Sequence, residues 1–260
     1  MKKILLPFFS LTFLLTPLYA ESVVFGEDDA SHSAYNNGWS GGNNGGSGFD
    51  TWNLYVAQEE GTESNAGFYI ATIDEKKDLD EAAIKNKAFG FFANGKTFEA
   101  ATAYRRFSQF LVANDTFSFI MKSGPFKQKF DYDSPNKGAV GLTLRATSVA
   151  TKSDEYNIDA RFEFGAYEGE DNYQIYDGES SRDSGIPCSE APISVTITLT
   201  SADTYNLEVT DLGTKKTTNL DNRKLGGAAG AQLESFCAFN RDGETNDAYF
   251  NGFQLSKAAQ

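Results

Sequence analysis

Asp159, Arg161 and Glu163 stand at alternate positions in a segment of strand character, a spacing that projects three side chains from one face of a pleated strand. Two carboxylates on such a face are the equipment of glycoside hydrolysis, in which their separation sets the stereochemical outcome. The middle residue argues against that chemistry. A guanidinium between two carboxylates lowers both pKa values, whereas a general acid must keep its proton near neutrality. The trio therefore reads first as a solvated charged face, next as a set of polar contacts to a sugar, and last as a catalytic pair.

Trp39 and Trp52 are the other candidates for ligand contact, because a flat indole stacks on the apolar face of a sugar ring and keeps an N–H for a hydroxyl. The competing reading makes both of them core residues that pin the loop between them. His32 is the only histidine. Any Ser-His-Asp or Cys-His arrangement would have to form around it, and its polar surroundings from Asp28 to Ser33 read instead as a surface loop. One histidine and two cysteines cannot furnish a zinc site. Acidic, oxygen-rich loops at Asp131-Tyr132-Asp133, Glu168-Gly169-Glu170-Asp171, Asp177-Gly178-Glu179 and Asn240-Arg241-Asp242-Gly243-Glu244 leave structural calcium open as a cofactor. None has the ligand spacing of a known calcium loop, so ordinary turns are the first reading.

The elements that must position these residues are strands. The chain has 22 Phe and 12 Tyr against 2 Met, and aromatic side chains suit a pleated surface. Segments of strand character fall near 52–57, 67–72, 88–93, 116–122, 140–146, 156–167, 173–176, 193–200, 205–210, 232–239 and 248–255. Two of them alternate cleanly: Ile193, Val195, Ile197 and Leu199 oppose Ser194, Thr196, Thr198 and Thr200, and Tyr205, Leu207 and Val209 oppose Asn206, Glu208 and Thr210. The polar Ser201-Ala202-Asp203-Thr204 between them reads as a hairpin turn. In a third, Ile158, Ala160, Phe162 and Phe164 oppose Asp159, Arg161 and Glu163. One-sided alternation points to antiparallel sheets with one face in a core. Only Asp78 to Lys87 carries a helical spacing. The glycine-rich run from Gly38 to Gly48 must be a loop, with Trp39 and Phe49 holding its ends. The expected fold is all-β, a single antiparallel two-sheet sandwich or jelly roll over residues 21–260.

Met1-Lys2-Lys3, an apolar run from Ile4 to Leu18 and the small Ala20 make residues 1–20 a secretory signal peptide. No second apolar segment follows, so an exported mature chain without a membrane span is expected. Removal of Lys2 and Lys3 leaves 21 basic against 36 acidic residues, a formal charge of −15. Nucleic acid and anionic membrane surfaces repel such a chain. Cys188 and Cys237 are the only cysteines, and in an oxidising compartment the expectation is a disulfide worth about 4 kcal/mol, with two separate buried thiols as the alternative.

The order of the segments resembles a group of secreted bacterial proteins that carry a PEP-type C-terminal sorting anchor. The resemblance rests on Asn36-Asn37-Gly38-Trp39, Gly48-Phe49-Asp50-Thr51-Trp52, Ala66-Gly67-Phe68-Tyr69-Ile70, Ala88-Phe89-Gly90-Phe91-Phe92-Ala93-Asn94 and Ala103-Tyr104-Arg105. It continues through Asp115-Thr116-Phe117-Ser118, Gly138-Ala139-Val140-Gly141-Leu142, Phe162-Glu163-Phe164, Asp203-Thr204-Tyr205 and Asn246-Asp247-Ala248-Tyr249-Phe250-Asn251. It implies a concanavalin A-like jelly roll. The terminal Leu255-Ser256-Lys257-Ala258-Ala259-Gln260 departs from the group in lacking the anchor. The leading functional expectation is a noncatalytic module binding extracellular polysaccharide or cell-surface glycan through Trp39, Trp52, Asp159, Arg161 and Glu163. A self-associating structural or matrix protein is the second, and a glycosidase or polysaccharide lyase the third.

Overall fold

The computed structural model describes residues 22–58, 65–76, 79, 82–94, 98–123, 138–148, 152, 155–241 and 247–257. The expected signal peptide and the Asp131-Tyr132-Asp133 loop lie outside them. Fifteen strands run through the described residues: β1 (Val23–Asp28), β2 (Asn53–Gln58), β3 (Ala66–Thr72), β4 (Lys87–Ala93), β5 (Glu99–Leu111), β6 (Asp115–Lys122), β7 (Ala139–Arg145) and β8 (Ala160–Tyr167), then β9 (Asn172–Tyr176), β10 (Asp183–Pro187), β11 (Ile193–Leu199), β12 (Thr204–Asp211), β13 (Thr217–Lys224), β14 (Leu233–Arg241) and β15 (Ala248–Lys257). They form two antiparallel sheets. One has eight strands in the order β13-β12-β11-β6-β15-β4-β3, with β1 also paired to β15, and the other has seven in the order β10-β9-β8-β7-β14-β5-β2. The all-β sandwich expected from the alternation is the architecture observed.

The core lies between the sheets. Val195, Ile197, Leu207 and Val209 point into it as their period-two spacing requires, while their polar neighbours on β11 and β12 point away. Phe117 and Phe253 of the eight-stranded sheet meet Phe236 of the other, with ring centroids 5.1 Å apart for Phe117 and Phe236 and 5.0 Å for Phe236 and Phe253. Strands β7 and β8 are buried on both faces, because each sheet's outer face is itself partly covered. A small apolar cluster of Ala139, Tyr167 and Phe239, with Tyr156 and Tyr176 against it, covers part of the outer face of the seven-stranded sheet.

Three expectations change. The segment expected as a strand from 156 begins only at Ala160, since 157–159 turn, with Ala160 donating to the Asn157 carbonyl. Of the helix expected from Asp78 to Lys87, residues 78, 80 and 81 lie outside the described ones, Ala82 stands in a 3-10 turn with its amide on the Leu79 carbonyl, and no helix runs on from 83 to 87. Lys85 and Asn86 instead make a tight left-handed turn, at φ 47° and 68°, that leads into β4.

The disulfide also does not form: both cysteines are reduced. Cys237 sits on β14, and Cys188 follows β10 at the far edge of the same sheet. Four strand spacings separate them, roughly 19 Å at the usual inter-strand distance. They also serve different layers, because Cys188 packs against the main core while Cys237 pairs in register with Thr143 and Tyr104 on the outer face. A disulfide needs its Cα atoms within about 7 Å.

Candidate functional site

The sequence places Asp159, Arg161 and Glu163 on one face, and the structure separates them. Asp159 precedes β8 in a left-handed conformation, φ 52°, and is exposed. The pairing of β7 with β8 then slips from Arg145 opposite Ala160 to Leu144 opposite Phe162, so Arg161 is the extra residue of a β-bulge. The bulge aims its guanidinium at the loops beside it. Nε donates to the Gly226 carbonyl at 2.8 Å, one terminal nitrogen donates to the Ala202 carbonyl at 2.9 Å and also to that of Ala231, and the other reaches Asp203 at 2.6 Å. At 1% exposure Arg161 fastens loops and belongs to no solvated face.

Glu163 alone of the three points into the outer face, and it is 6% exposed. It belongs to a row of directly paired residues that crosses five strands: Tyr104 on β5, Cys237 on β14, Thr143 on β7, Glu163 on β8 and Tyr176 on β9. Thr143 donates to one oxygen of the carboxyl at 3.1 Å and the Tyr167 hydroxyl donates to the other. Burial pushes the Glu163 carboxyl above its ordinary value, and this outweighs the opposing pull of those two hydrogen bonds and of Arg241 and Arg182. The expectation that Arg161 would lower it is overturned, since that guanidinium is spent on Asp203 and three carbonyls.

Around Glu163 opens a cleft of about 260 Å³, walled by Tyr156, Tyr167, Tyr176, Arg161 and Arg241. Its floor is made by the fold. Phe239 lies over Gly141, where a Cβ would stand 2.9 Å from the ring and 2.6 Å from the Phe164 carbonyl, so only glycine lets the ring settle on the sheet. Tyr156 packs on Phe239 at 4.8 Å, and Tyr167 packs on Tyr176 at 5.4 Å. The Arg241 guanidinium rests over the rings of Tyr156 and Tyr167, 5.3 and 5.8 Å from their centroids. Arg182 covers Tyr176 at 4.5 Å. Aromatic faces, the carboxyls of Glu163 and Asp177 and a guanidinium thus line one small space, the composition of a ligand pocket just below the usual size range.

Trp39 and Trp52, expected as stacking platforms, are 6% and 0% exposed and lie in the main core. Both indoles are packed edge-on at 5.2 Å and face no solvent, so they hold the glycine loop as their competing reading has it. The loop is pinned from below as well. Arg105 pairs with Asp28, both wholly buried, and donates to the Asp50 carbonyl at 2.8 Å and to Asn44 at 2.5 Å. Tyr35 donates to Asp28 at 2.5 Å and accepts from Trp52 Nε1 at 3.0 Å. A side chain at Gly46 would overlap the Glu27 carbonyl. His32 is exposed and caps a 3-10 turn, its Nδ1 accepting from the Ala34 amide at 3.1 Å.

Of the acidic loops, Asp177 is committed to Arg223 and the Tyr205 hydroxyl, at 2.8 and 2.5 Å. Among the described residues no group of three or more His, Cys, Asp or Glu is placed to hold a metal ion. The residues that the sequence did not single out are Tyr156, Tyr167, Tyr176 and Arg241. The spacing of Glu163 and Tyr167, four apart on one strand, puts them on one face and could have joined them. Nothing local could have added Arg241, which reaches the cleft only through the pairing of β14 with β7.

No family model matches the chain, and no curated protein matches it. Among solved structures the sandwich is similar to the winged bean acidic lectin complexed with methyl-α-D-galactose (TM-score 0.44, 8% identity, covering 80% of this chain and 99% of that one). It is also similar to the Ca2+-bound exoplasmic/lumenal domain of VIP36 (TM-score 0.41, 8% identity, 77% and 86% covered). A third similar structure is the CBM2 module of the evolved Dit of Lactobacillus casei BL23 phage J-1 (TM-score 0.49, 9% identity, 94% and 99% covered). These are likenesses of strand arrangement.

Proposed function

We propose that this chain is an exported, noncatalytic glycan-binding protein whose saccharide site is the tyrosine-walled cleft on the outer face of the seven-stranded sheet. One observation carries the reading: three tyrosine rings converge with the Glu163 carboxyl and the Arg241 guanidinium on a space of about 260 Å³. Sugar rings present apolar faces that stack on aromatic side chains and hydroxyls that bond to polar groups between them, and this wall offers both. The cleft's two carboxyls are both engaged, Glu163 by Thr143 and Tyr167 and Asp177 by Arg223 and the Tyr205 hydroxyl, so they serve as recognition and scaffold groups rather than as the acid and nucleophile of hydrolysis. Export is proposed from the first twenty residues, and membership of the PEP-type group from its ordered motifs.

Incubation with a panel of neutral and acidic polysaccharides, native against heat-denatured protein, tests the binding. Specific retention of the native protein by at least one polymer is expected. Absence of retention above the denatured control would end the proposal. Sequencing the N-terminus of protein recovered outside the cytosol tests export, with a start near Glu21 expected.

A further inference from the structure

We infer that the cleft selects a sugar bearing one carboxylate, with Arg241 as the cation that receives it; this rests on the glycan-binding reading of the same cleft. Arg241 lines the space between Tyr156 and Tyr167, and its Nε–H is enclosed with no acceptor. Arg161, the other arginine of the wall, has its donors engaged by Asp203 and three carbonyls. Among the described residues the Arg241 guanidinium is held by ring faces and makes no hydrogen bond, and such contacts leave a guanidinium's hydrogen-bonding edge unspent. The Nε–H is sealed from the cleft, so the terminal nitrogens are the edge that a ligand can reach, and a planar carboxylate is the group that this edge fits best, through two parallel hydrogen bonds.

The cleft's own carboxyls do not answer this need, since Asp177 is held by Arg223 and the Tyr205 hydroxyl. Glu163 accepts from Thr143 and Tyr167, and no ion pair joins it to Arg241. The surrounding charge narrows the ligand further. The whole chain carries a formal charge of −13, and the turns that follow the lining residues Tyr167 and Asp177 hold Glu168, Glu170, Asp171 and Glu179. A polyanion laid across that rim is repelled, while a single carboxylate carried into the cleft on an otherwise neutral glycan meets Arg241 at short range. Selectivity then comes from an attractive group inside and a repulsive one outside.

The test is calorimetric titration of the protein with a glucuronate-ended neutral oligosaccharide and with the same oligosaccharide after reduction of its carboxyl to the alcohol. Polygalacturonate serves as the polyanion. The glucuronate form is expected to bind about tenfold tighter than the reduced form, the size of one charge-assisted hydrogen bond, and polygalacturonate more weakly than either. Arg241→Gln should bring the two oligosaccharides to equal affinity, and Arg241→Lys should restore part of the difference. Affinity for the reduced form reports whether each variant is folded. Equal binding of both forms by the unaltered protein, or polygalacturonate binding best, would overturn this inference and leave the glycan reading standing. Binding of none of the three would overturn both.

Discussion

Tyr167 donates its hydroxyl to the Glu163 carboxyl four residues earlier on the same strand, which ties one wall of the cleft to its polar centre. Burial favours the neutral form of that carboxyl relative to its ordinary value near 4.5. The folded chain therefore keeps a proton that the unfolded chain releases. This contribution to stability is fully present below about pH 4.5 and is lost as pH rises through the higher folded value. Glu163→Gln keeps an acceptor for one of the two hydroxyls, lets the other accept from its NH2, and removes the titration. Melting temperatures of the two proteins from pH 4 to 8 should diverge in favour of the glutamine variant as pH rises, whereas parallel curves would contradict the environment assigned to Glu163.

The buried Arg105–Asp28 pair predicts a large loss when one partner goes. Asp28→Ala leaves a guanidinium uncompensated under the glycine loop, and urea denaturation should show a destabilisation of about 3–5 kcal/mol. A loss below about 1 kcal/mol would mean that the loop is held by the indoles and glycines without the ion pair.

Two reduced cysteines predict two thiols per chain by titration in denaturant without reductant, and the same electrophoretic mobility with and without reductant. In the native protein Cys237 should react far more slowly than Cys188, because burial pushes its thiol up and the thiolate is the reactive form. A chain with no titratable thiol would restore the disulfide.

Trp52 is enclosed by Phe89, Phe236 and Phe253. Trp52→Ala should cost about 3–5 kcal/mol by urea denaturation. Trp39→Phe, the milder change, should leave saccharide affinity unaltered. Loss of binding in a Trp39→Phe protein of native stability would move the site to the glycine loop.

The sandwich was legible wherever one face of a strand is polar. The alternation of Ile193, Val195, Ile197 and Leu199 with serine and threonines could only be a half-buried strand. Strand β5 escaped because its buried run, Glu99 to Arg105, is mostly small residues with an arginine, covered on both faces and without period. Strand β13 escaped for the opposite reason, being a polar edge strand. The site was half legible. Glu163 was found by its spacing, but the bulge at Arg161 redirected its neighbour and cannot be read from the alternation that it interrupts. The indoles misled because an aromatic beside glycines looks the same in sequence whether it faces a ligand or a core.

The cleft itself is tested by affinity electrophoresis of the unaltered protein and Tyr176→Ala in gels containing the retained polysaccharide, with both proteins checked for equal melting temperature. Tyr176 is half-buried on the wall, so its removal should spare the fold and weaken binding about fivefold through the lost ring face. Retardation of the unaltered protein with little retardation of Tyr176→Ala is the predicted result. Equal retardation of the two would place the saccharide elsewhere on the sandwich, and no retardation of either would remove the glycan site altogether.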